Sequence, residues 1–436
     1  MSLDRASIIA LDRKHVWHPY TPMDRHLSEG PPLVIARAQG SRLYDHDGRS
    51  YIDGNSSWWV AQLGHNHPRL VAALERQARD FCHVALAGIT HAPIAELAAE
   101  LVQVAPSGLE RVFFSDDGST AIDLAVKMCL QFWHQNGRPT RQRFVSLSQA
   151  FHGETLAATA LGGVEVFRRP FKGSLLDCVH LPIDDETWST AAATLDDLLE
   201  READQIAGVV IEPMVQGVGG MRIGSAQALR TIRAACDRHA VFLIADEVFT
   251  GYGRTGPMWA CDHAQVTPDI MCVAKGFTAG ILPMAATLCT ARIFDGFRGS
   301  DERALFYGHT YAGHALGAAV AREVLAIYRD EEVLAEALRK AQRLQAGFVE
   351  LGRLESVARV RSLGMVAALD LRGDAGYLQQ RGRQICAEAR ARGVYIRPLG
   401  NTVYVAPALN IPDLDLEALL SVLHDSVRAV ELASSR

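Results

Sequence analysis

The chain of 436 residues lacks the features that mark several other classes of protein. No apolar run approaches the ~18 residues that a membrane-spanning helix requires, and residues 1–5 lack the apolar stretch of a secretory signal. The formal net charge is -6, so the chain lacks the basic excess that favours nucleic acid. We therefore expect a cytoplasmic protein that has neither a membrane nor a nucleic acid as partner.

Cysteine pairs and repeats are also missing. The 8 cysteines include no CxxC pair, and several of them lie within apolar stretches. This usage predicts small buried side chains in a reducing compartment rather than disulfides. The chain shows no internal repeat and no low-complexity linker, which leaves an ordinary globular protein.

The order of the predicted elements indicates an α/β fold. Between residues 61 and 330, short apolar runs alternate with amphipathic helices, a pattern typical of a mainly parallel sheet covered by helices on both faces. From residue 331 to 436, long helices separated by strands predict a smaller α+β domain. We expect the N-terminal segment, residues 1–60, to pack with that smaller domain.

Two charged residues end two of the apolar runs. Asp246 follows the run 241–245 and Lys275 follows the run 269–274. Ligands of open α/β sheets bind at the carboxyl ends of the strands. An amine and a carboxylate there fit a pyridoxal phosphate site, with a Schiff base on the lysine and the carboxylate on the pyridine nitrogen. A buried Asp–Lys ion pair explains these two residues equally well.

Other loops offer groups for a cofactor. Gly118 and Ser119 open a predicted helix where backbone amides can bind phosphate, although an ordinary N-cap loop is the simpler interpretation and Asp117 would repel an anion. Phe151 can stack on a ring, although such an aromatic is more often part of the core. Glu212, at the end of another buried run, can pair with a cation.

Arginine and histidine residues suggest further contacts. Arg254 in a glycine-rich loop and Arg397 near the C-terminus can each bind a carboxylate, while a surface role is the alternative for both. His65 and His67 suggest a metal, but no third ligand stands at a recognisable spacing, which favours a capping or turn role. We therefore expect no metal.

Together these segments resemble the class III (ω-type) aminotransferases, which are fold type I pyridoxal phosphate enzymes. The match covers nearly the whole chain and is most specific in the block 245–256, followed by 268–270 and the Lys275-Gly276 pair. The resemblance implies that Lys275 holds the cofactor and shuttles a proton, and that Asp246 binds the pyridinium nitrogen. It further implies phosphate contacts from Gly118 and Ser119, stacking by Phe151, and a homodimer in which Thr310 reaches the partner's site.

Within that class the chain is most similar to the branch that makes a biotin precursor. Segments 17–21, 56–59, 88–93, 127–128, 131–133, 215–217 and 396–398, together with Tyr404, carry this narrower match. The similarity implies 8-amino-7-oxononanoate as the keto substrate and S-adenosylmethionine as the amino donor. The residues implied in substrate binding are Tyr20, Trp58, Arg254, Gly308, Arg397 and Tyr404, with Arg397 on the substrate carboxylate.

Four positions depart from the pattern of that branch. Phe151 and Glu154 stand where the branch has Tyr and Asp, Asp117 replaces a Ser, and His309 replaces a Pro. The alternatives are therefore lysine as donor, or an ω-amino acid or polyamine:pyruvate aminotransferase. A non-catalytic pyridoxal phosphate-binding protein is a third alternative, which the intact pair of Asp246 and Lys275 disfavours.

Overall fold

The computed structural model describes residues 3–183, 187–373 and 377–434. The strands are β1 (Ile35–Gln39), β2 (Arg42–Asp45), β3 (Ser50–Asp53), β4 (Leu109–Ser115), β5 (Arg143–Leu147), β6 (Cys178–Leu181), β7 (Ile206–Ile211), β8 (Val215–Gln216), β9 (Arg222–Ile223), β10 (Phe242–Asp246), β11 (Ile270–Val273), β12 (Ala285–Thr290), β13 (Val357–Leu363), β14 (Val366–Leu371), β15 (Val394–Tyr395) and β16 (Thr402–Val405). The helices are α1 (Arg5–His15), α2 (Met23–Ser28), α3 (Ser56–Trp59), α4 (Pro68–Asp80), α5 (Ala92–Val104), α6 (Gly118–Gln135), α7 (Leu156–Leu161), α8 (Glu165–Arg168), α9 (Ser189–Glu202), α10 (Ala226–Arg238), α11 (Ala291–Asp295), α12 (Ala315–Asp330), α13 (Val333–Leu351), α14 (Arg381–Ala391) and α15 (Asp413–Ser434).

A seven-stranded sheet forms the centre of the molecule, in the order β4-β12-β11-β10-β7-β5-β6. Strand β12 runs antiparallel to both of its neighbours, and the pairs from β11 through β6 are parallel. This arrangement confirms the expected mainly parallel sheet. Asp246 lies beside Cys272 in the register of β10 and β11, so Lys275 follows at the same edge of the sheet.

Helix α6 shows how the sequence pattern covers this sheet. Ile122, Val126 and Trp133 recur at helical spacing, and all three are buried against the strands. Trp133 also donates its indole N–H to the carbonyl of Ala207 at 2.8 Å, which satisfies its one polar group. Burial of each such apolar side chain stabilises the fold by roughly 1.5–3 kcal/mol, so the stripe fixes the helix on the sheet.

The C-terminal part forms an antiparallel sheet in the order β13-β14-β16, packed with α13 and α15. Strands β13 and β14 form a hairpin that turns at Gly364, where φ is +57°. A Cβ atom at Gly364 would lie 2.3 Å from the backbone carbon of Thr255, so glycine is required there by close approach as well as by conformation. Helix α14 begins at Arg381, and Tyr377, which precedes it, packs against Phe167.

The N-terminal segment pairs with the C-terminal part. Strand β15 runs parallel to β3, with Val394 opposite Ile52, and it completes a four-stranded sheet with β1 and β2. Arg42 supports this contact through an ion pair to Asp415 at 2.5 Å. The contact joins β2 and β3 to the C-terminal part, and the division of the chain at 60 and 330 into domains stays a prediction.

The structure also describes the cysteines and the apolar character of the helices. All eight cysteines are free, and among them Cys82 is exposed while the others are buried or half-buried. Across the three described ranges, no helix combines the length and the apolar character needed to cross a membrane.

Candidate active site

A cavity of about 400 Å³ opens where β10 and β11 end. Five of the residues predicted from the sequence lie together in its lining: Gly118, Ser119, Phe151, Asp246 and Lys275. They come from four separate loops that follow strands or precede helices. The sheet brings these loops to one edge, as expected for ligand sites of open α/β folds.

Asp246 is held by a histidine at the floor of the cavity. Its Oδ2 atom lies 2.7 Å from Nδ1 of His152, and its Oδ1 atom accepts the backbone N–H of Val248 at 3.1 Å. The other ring nitrogen of His152 lies 3.2 Å from Oγ of Ser146. Because both nitrogens of His152 are engaged, the orientation of the ring and of the carboxylate is fixed.

Lys275 is free to react. No carboxylate of the described ranges forms an ion pair with it, which removes the Asp–Lys ion pair as an explanation of the two residues. Its Nζ lies 5.3 Å from the ring centroid of Trp59, and its backbone has a left-handed φ of +48°. Burial lowers the pKa of Lys275 despite the nearby Asp246 charge, which increases the share of neutral amine.

Glu212 lies buried beside this pair. Its two carboxylate oxygens accept the backbone N–H groups of Phe151 at 2.9 Å and Gly217 at 2.8 Å. Burial raises the pKa of Glu212 to about 7, and the charge of Asp246 adds to the effect while His152 opposes it. Glu212 thus joins the loop that carries Phe151 to the glycine-rich loop that follows β7.

The start of α6 provides a place for an anion. A Cβ atom at Gly118 would lie only 2.7 Å from a methyl of Val248, so the backbone approaches this loop closely. Asp117 is directed into its own helix, where its carboxylate accepts the N–H of Thr120 at 2.9 Å in a capping box. Asp117 therefore acts as the N-cap of α6, and it lines the cavity together with Gly118 and Ser119.

These residues fit pyridoxal phosphate. The carboxylate of Asp246 suits a protonated pyridine nitrogen, and the unpaired amine of Lys275 suits an aldehyde. The positive end of α6, an 18-residue helix, suits a phosphate group. Phe151 lines the same cavity, where a ring can stack on it.

An unusual turn positions two tryptophans. Residues 56–59 all have left-handed φ values, with +61° for Trp58 and +74° for Trp59. Such a conformation costs roughly 1–2 kcal/mol per residue. Hydrogen bonds offset this cost, because Asp53 accepts the N–H of Ser57 at 2.8 Å and Ser56 donates its hydroxyl to the carbonyl of Ala406 at 2.8 Å.

An aromatic wall, which consists of Tyr20, Trp58, Phe151, Phe167 and Tyr377, leads away from the cavity. The ring of Phe167 lies 5.5 Å from that of Tyr20, 6.0 Å from that of Phe151 and 4.9 Å from that of Tyr377. Tyr20 in turn meets Trp58 edge to face at 6.0 Å. The wall is a continuous apolar surface with centroid separations typical of favourable aromatic pairs.

Arg397 stands at the outer edge of this wall. Its guanidinium carbon lies 4.6 Å above the ring of Trp58, and its backbone N–H donates to Oδ1 of Asn55 at 2.6 Å. Among the described residues, no carboxylate forms an ion pair with Arg397. Its charge is therefore available to an anionic ligand.

Two other predicted substrate residues lie outside the cavity lining. Arg254 is fully buried and donates to the carbonyls of Met365 at 3.2 Å and Pro407 at 2.7 Å. Burial lowers the pKa of Arg254 to about 10. Tyr404 is 1% exposed, and its ring lies 6.1 Å from that of Trp59. Tyr404 thus packs against Trp59, a residue of the cavity lining, and contact of Arg254 or Tyr404 with substrate stays a prediction.

The segment with Gly308 and Thr310 is exposed and does not line the cavity of its own chain. His309 links the segment to the cavity rim, because its Nδ1 lies 2.7 Å from Oδ2 of Asp116. The roles of Gly308 and Thr310 therefore stay predictions.

His65 and His67 do not form a common site. His65 contacts Asp53 at 2.9 Å, and His67 precedes helix α4 but makes no side-chain hydrogen bond to its first turn. His67 therefore stands at the capping position without capping the helix through its side chain.

Three residues of the site region escaped the sequence analysis as site residues: His152, Trp59 and Phe167. Glu212 was recognised as a candidate partner for a cation, and it lines the cavity. His152 came soon after a predicted strand, a position that signals a ligand edge. Trp59 and Phe167 carried no such signal, because their places depend on a left-handed turn and on a short helix.

The fold and the cavity define a pyridoxal phosphate-dependent aminotransferase of class III. A family model described as aminotransferase class-III matches residues 25–427, and the chain belongs to this family. Its members are pyridoxal phosphate enzymes.

Several relatives carry one particular name, adenosylmethionine-8-amino-7-oxononanoate aminotransferase. The protein of that name from Geobacter sulfurreducens is 38% identical, covering 96% of this chain and 97% of its own length. The one from Synechococcus elongatus is 38% identical over 94% of this chain and 98% of its own. The crystal structure of the Methanocaldococcus jannaschii protein has a TM-score of 0.94 at 32% identity, with 98% and 99% of the two chains covered.

Proposed function

We propose that the protein transfers an amino group to 8-amino-7-oxononanoate in biotin biosynthesis, with S-adenosylmethionine as the amino donor. The observation that carries aminotransfer is the meeting of an unpaired Lys275 with Asp246, held by His152, in one cavity. The name shared by relatives at 31–39% identity supports the assignment of 8-amino-7-oxononanoate as the substrate. The proposal includes action in the cytoplasm, as expected from the sequence.

The chain's own groups prepare the reaction. Pyridoxal phosphate, when bound, supplies an electron sink for the carbon that loses its proton. The carboxylate of Asp246, which His152 keeps in place, would hold the protonated pyridine nitrogen. The neutral amine of Lys275 would bind the aldehyde and, once released, would take the proton from Cα of the donor. Gly118 and Ser119 would hold the phosphate at the start of α6.

The aromatic wall and Arg397 suit the keto substrate. The long methylene chain of 8-amino-7-oxononanoate packs on the faces of Tyr20, Trp58 and Phe167, which removes apolar surface from water. Its carboxylate pairs with Arg397 at the end of the wall. Arg397 presents a planar guanidinium, the side chain best shaped to bind a carboxylate at two points.

A second candidate is an ω-amine or polyamine:pyruvate aminotransferase. An amine transaminase from an uncultivated Pseudomonas species, in its pyridoxal phosphate-bound form, shares 32% identity and a TM-score of 0.89. Phe151 has no hydroxyl to contribute to the recognition of a donor. The amino donor is therefore the point to be tested, and the candidates are S-adenosylmethionine, lysine and an ω-amine.

The half-reaction distinguishes these candidates. Purified holoenzyme is mixed separately with S-adenosylmethionine, lysine and an ω-amine, and the absorbance of the bound cofactor is followed. We expect S-adenosylmethionine alone to bleach the band, and added 8-amino-7-oxononanoate to restore it. Bleaching by lysine alone would show that lysine, and not S-adenosylmethionine, is the amino donor. Bleaching by simple ω-amines alone would replace the proposed reaction by that of the second candidate.

The homodimer belongs to the same proposal. Thr310 is exposed and stands apart from the cavity of its own chain, as expected if it reaches the phosphate in the partner's site. Co-expression of a Lys275→Ala chain with a Thr310→Glu chain tests this arrangement. If sites are shared, the mixed dimer has one intact site and about half of the wild-type activity. If each chain is self-contained, both sites of the mixed dimer are defective and no activity returns.

A further inference from the structure

Three side chains able to bind a metal meet in the N-terminal segment, outside the active site. Asp12 lies on helix α1, His26 on helix α2, and His18 in the stretch between them. One ligand atom from each lies within 4.8 Å of the other two. Their spacings in the chain, six and eight residues, match no familiar metal motif, so the sequence analysis did not identify the cluster.

The distances suit a small divalent cation. Nε2 of His18 lies 2.9 Å from Oδ1 of Asp12, and Nε2 of His26 lies 3.1 Å from Oδ2 of the same carboxylate. Tetrahedral zinc, with bonds of about 2.0–2.2 Å to nitrogen and oxygen, places neighbouring ligand atoms about 3.3 Å apart. Both separations approach that value, so small side-chain adjustments would admit the ion.

The contact between His26 and Asp12 is not an ordinary hydrogen bond. Nε2 of His26 and Oδ2 of Asp12 are both buried, and neither has a hydrogen-bond partner among the described residues in spite of their 3.1 Å separation. Leaving such groups unpaired costs about 1–3 kcal/mol each. A nitrogen and an oxygen that lie close together without pointing at each other are arranged as two ligands of a third atom.

We propose that Asp12, His18 and His26 bind one divalent cation of the zinc type, with water completing the coordination. Imidazole nitrogen combined with carboxylate oxygen is a common ligand set for zinc. The half-exposed side chain of His18 gives the ion access from solvent. Two arginines adjoin the ligands in the chain. Arg25 is paired with Glu29 at 3.2 Å, and Arg13 donates to the backbone carbonyl of Glu29 at 3.0 Å, so both guanidinium groups have acceptors that offset their repulsion of a cation.

The position of the site gives it a structural role. The ion fastens α1 and α2 to the segment that carries Tyr20, two residues after His18. Tyr20 has a left-handed φ of +52° and packs its ring on Trp58 and Phe167 of the aromatic wall. Binding at the cluster therefore stabilises the segment at the entrance to the cavity.

The test uses tag-free, full-length holoenzyme stripped with a chelator and titrated with zinc against a chromophoric competitor. We expect one tight site per chain in the wild type. Asp12→Asn and His26→Gln should weaken it at least about 10-fold, since loss of even an outer partner of a metal ligand costs that much. The control His424→Gln removes a histidine that contacts Asp425 at 3.6 Å and should leave zinc binding unchanged.

A second measurement guards against unfolding of the variants. Cobalt replaces zinc in the same titration, and its visible spectrum reports tetrahedral coordination, while the cofactor absorbance reports an intact active site. Zinc should raise the Tm of the wild type and of His424→Gln but not of His26→Gln. Equal zinc affinity in wild type and His26→Gln, or no stoichiometric site in the wild type, would overturn the proposal. Neither result bears on the aminotransfer reaction.

Discussion

His152 and Asp246 lie 94 positions apart in the chain, and yet Nδ1 of the one is 2.7 Å from Oδ2 of the other at the floor of the cavity. Both side chains are almost completely buried. The carboxylate at this floor is therefore oriented before any ligand arrives, and its partner is a histidine rather than the lysine. This relationship leads to the first prediction.

Replacement of His152 by Ala should reduce kcat by about 10- to 100-fold, as for other partners that orient a ligand-binding group. The carboxylate of Asp246 would lose its fixed direction while the amine of Lys275 remains. Steady-state kinetics and the pH dependence of the cofactor absorbance measure the effect. His180→Asn serves as control, because His180 bonds to the carbonyl of Leu161 at 3.2 Å, outside the cavity lining. Equal losses in both variants would contradict a specific role of His152.

Replacement of Arg397 by Gln should lower kcat/KM for the keto acid by about 10- to 100-fold, because a hydrogen bond to a charged group contributes about 1.5–3 kcal/mol. Arg397→Lys should recover little, since an ammonium group cannot bind a carboxylate at two points. The KM of the amino donor should change less. Exposed Arg353, paired with Glu350 at 2.7 Å, supplies the control Arg353→Gln. Unchanged kinetics in Arg397→Gln would remove the residue from the site.

Replacement of Gly118 by Ala should destabilise the protein by about 1–3 kcal/mol and weaken cofactor binding, because the new methyl overlaps Val248. Thermal unfolding and cofactor absorbance measure the two effects. The double variant with Val248→Ala should recover part of the loss. Gly173→Ala, where a Cβ meets nothing within 4 Å, should be close to neutral. A Gly118→Ala protein as stable as the wild type would show that this loop has room to move.

The raised pKa of Glu212 predicts a pH-dependent stability. The folded protein holds a proton that the unfolded chain releases above its ordinary pKa of 4.5, so stability falls as pH rises from 4.5 to about 7. The full effect amounts to at most about 3 kcal/mol. Glu212→Gln should flatten this slope in thermal unfolding of the cofactor-free protein, whereas exposed Glu200→Gln should not. The same slope in the wild type and in Glu212→Gln would refute the assignment.

The lowered pKa of Lys275 makes stability change with pH in the direction opposite to that expected for Glu212. The folded protein resists protonation of this amine, so its cost to stability grows as pH falls below 10.5. Lys275→Met should therefore stabilise the cofactor-free protein at pH 7, and should stabilise it less near pH 10.

Lys275→Ala should still bind cofactor but lose turnover. Destabilisation by Met at pH 7, or turnover by the Ala variant, would contradict the role of this residue.

The sequence by itself determined the alternation of strands and helices, and with it the edge at which Asp246 and Lys275 meet. Those features are local, because an apolar run or a helical stripe fixes the burial of its own residues. It also supplied the motifs that assign the family.

Only the tertiary structure decided which partners these residues have. The carboxylate of Asp246 pairs with His152, Glu212 joins two loops through their backbone N–H groups, and Arg254 is buried against carbonyls instead of lining the cavity. Apart from the contact of Glu212 with Gly217, five residues away, each of these contacts joins residues far apart in the chain, so it depends on packing that no local pattern encodes. The meeting of Asp12, His18 and His26 is closer in sequence, but it too depends on how two helices fold back on the segment between them.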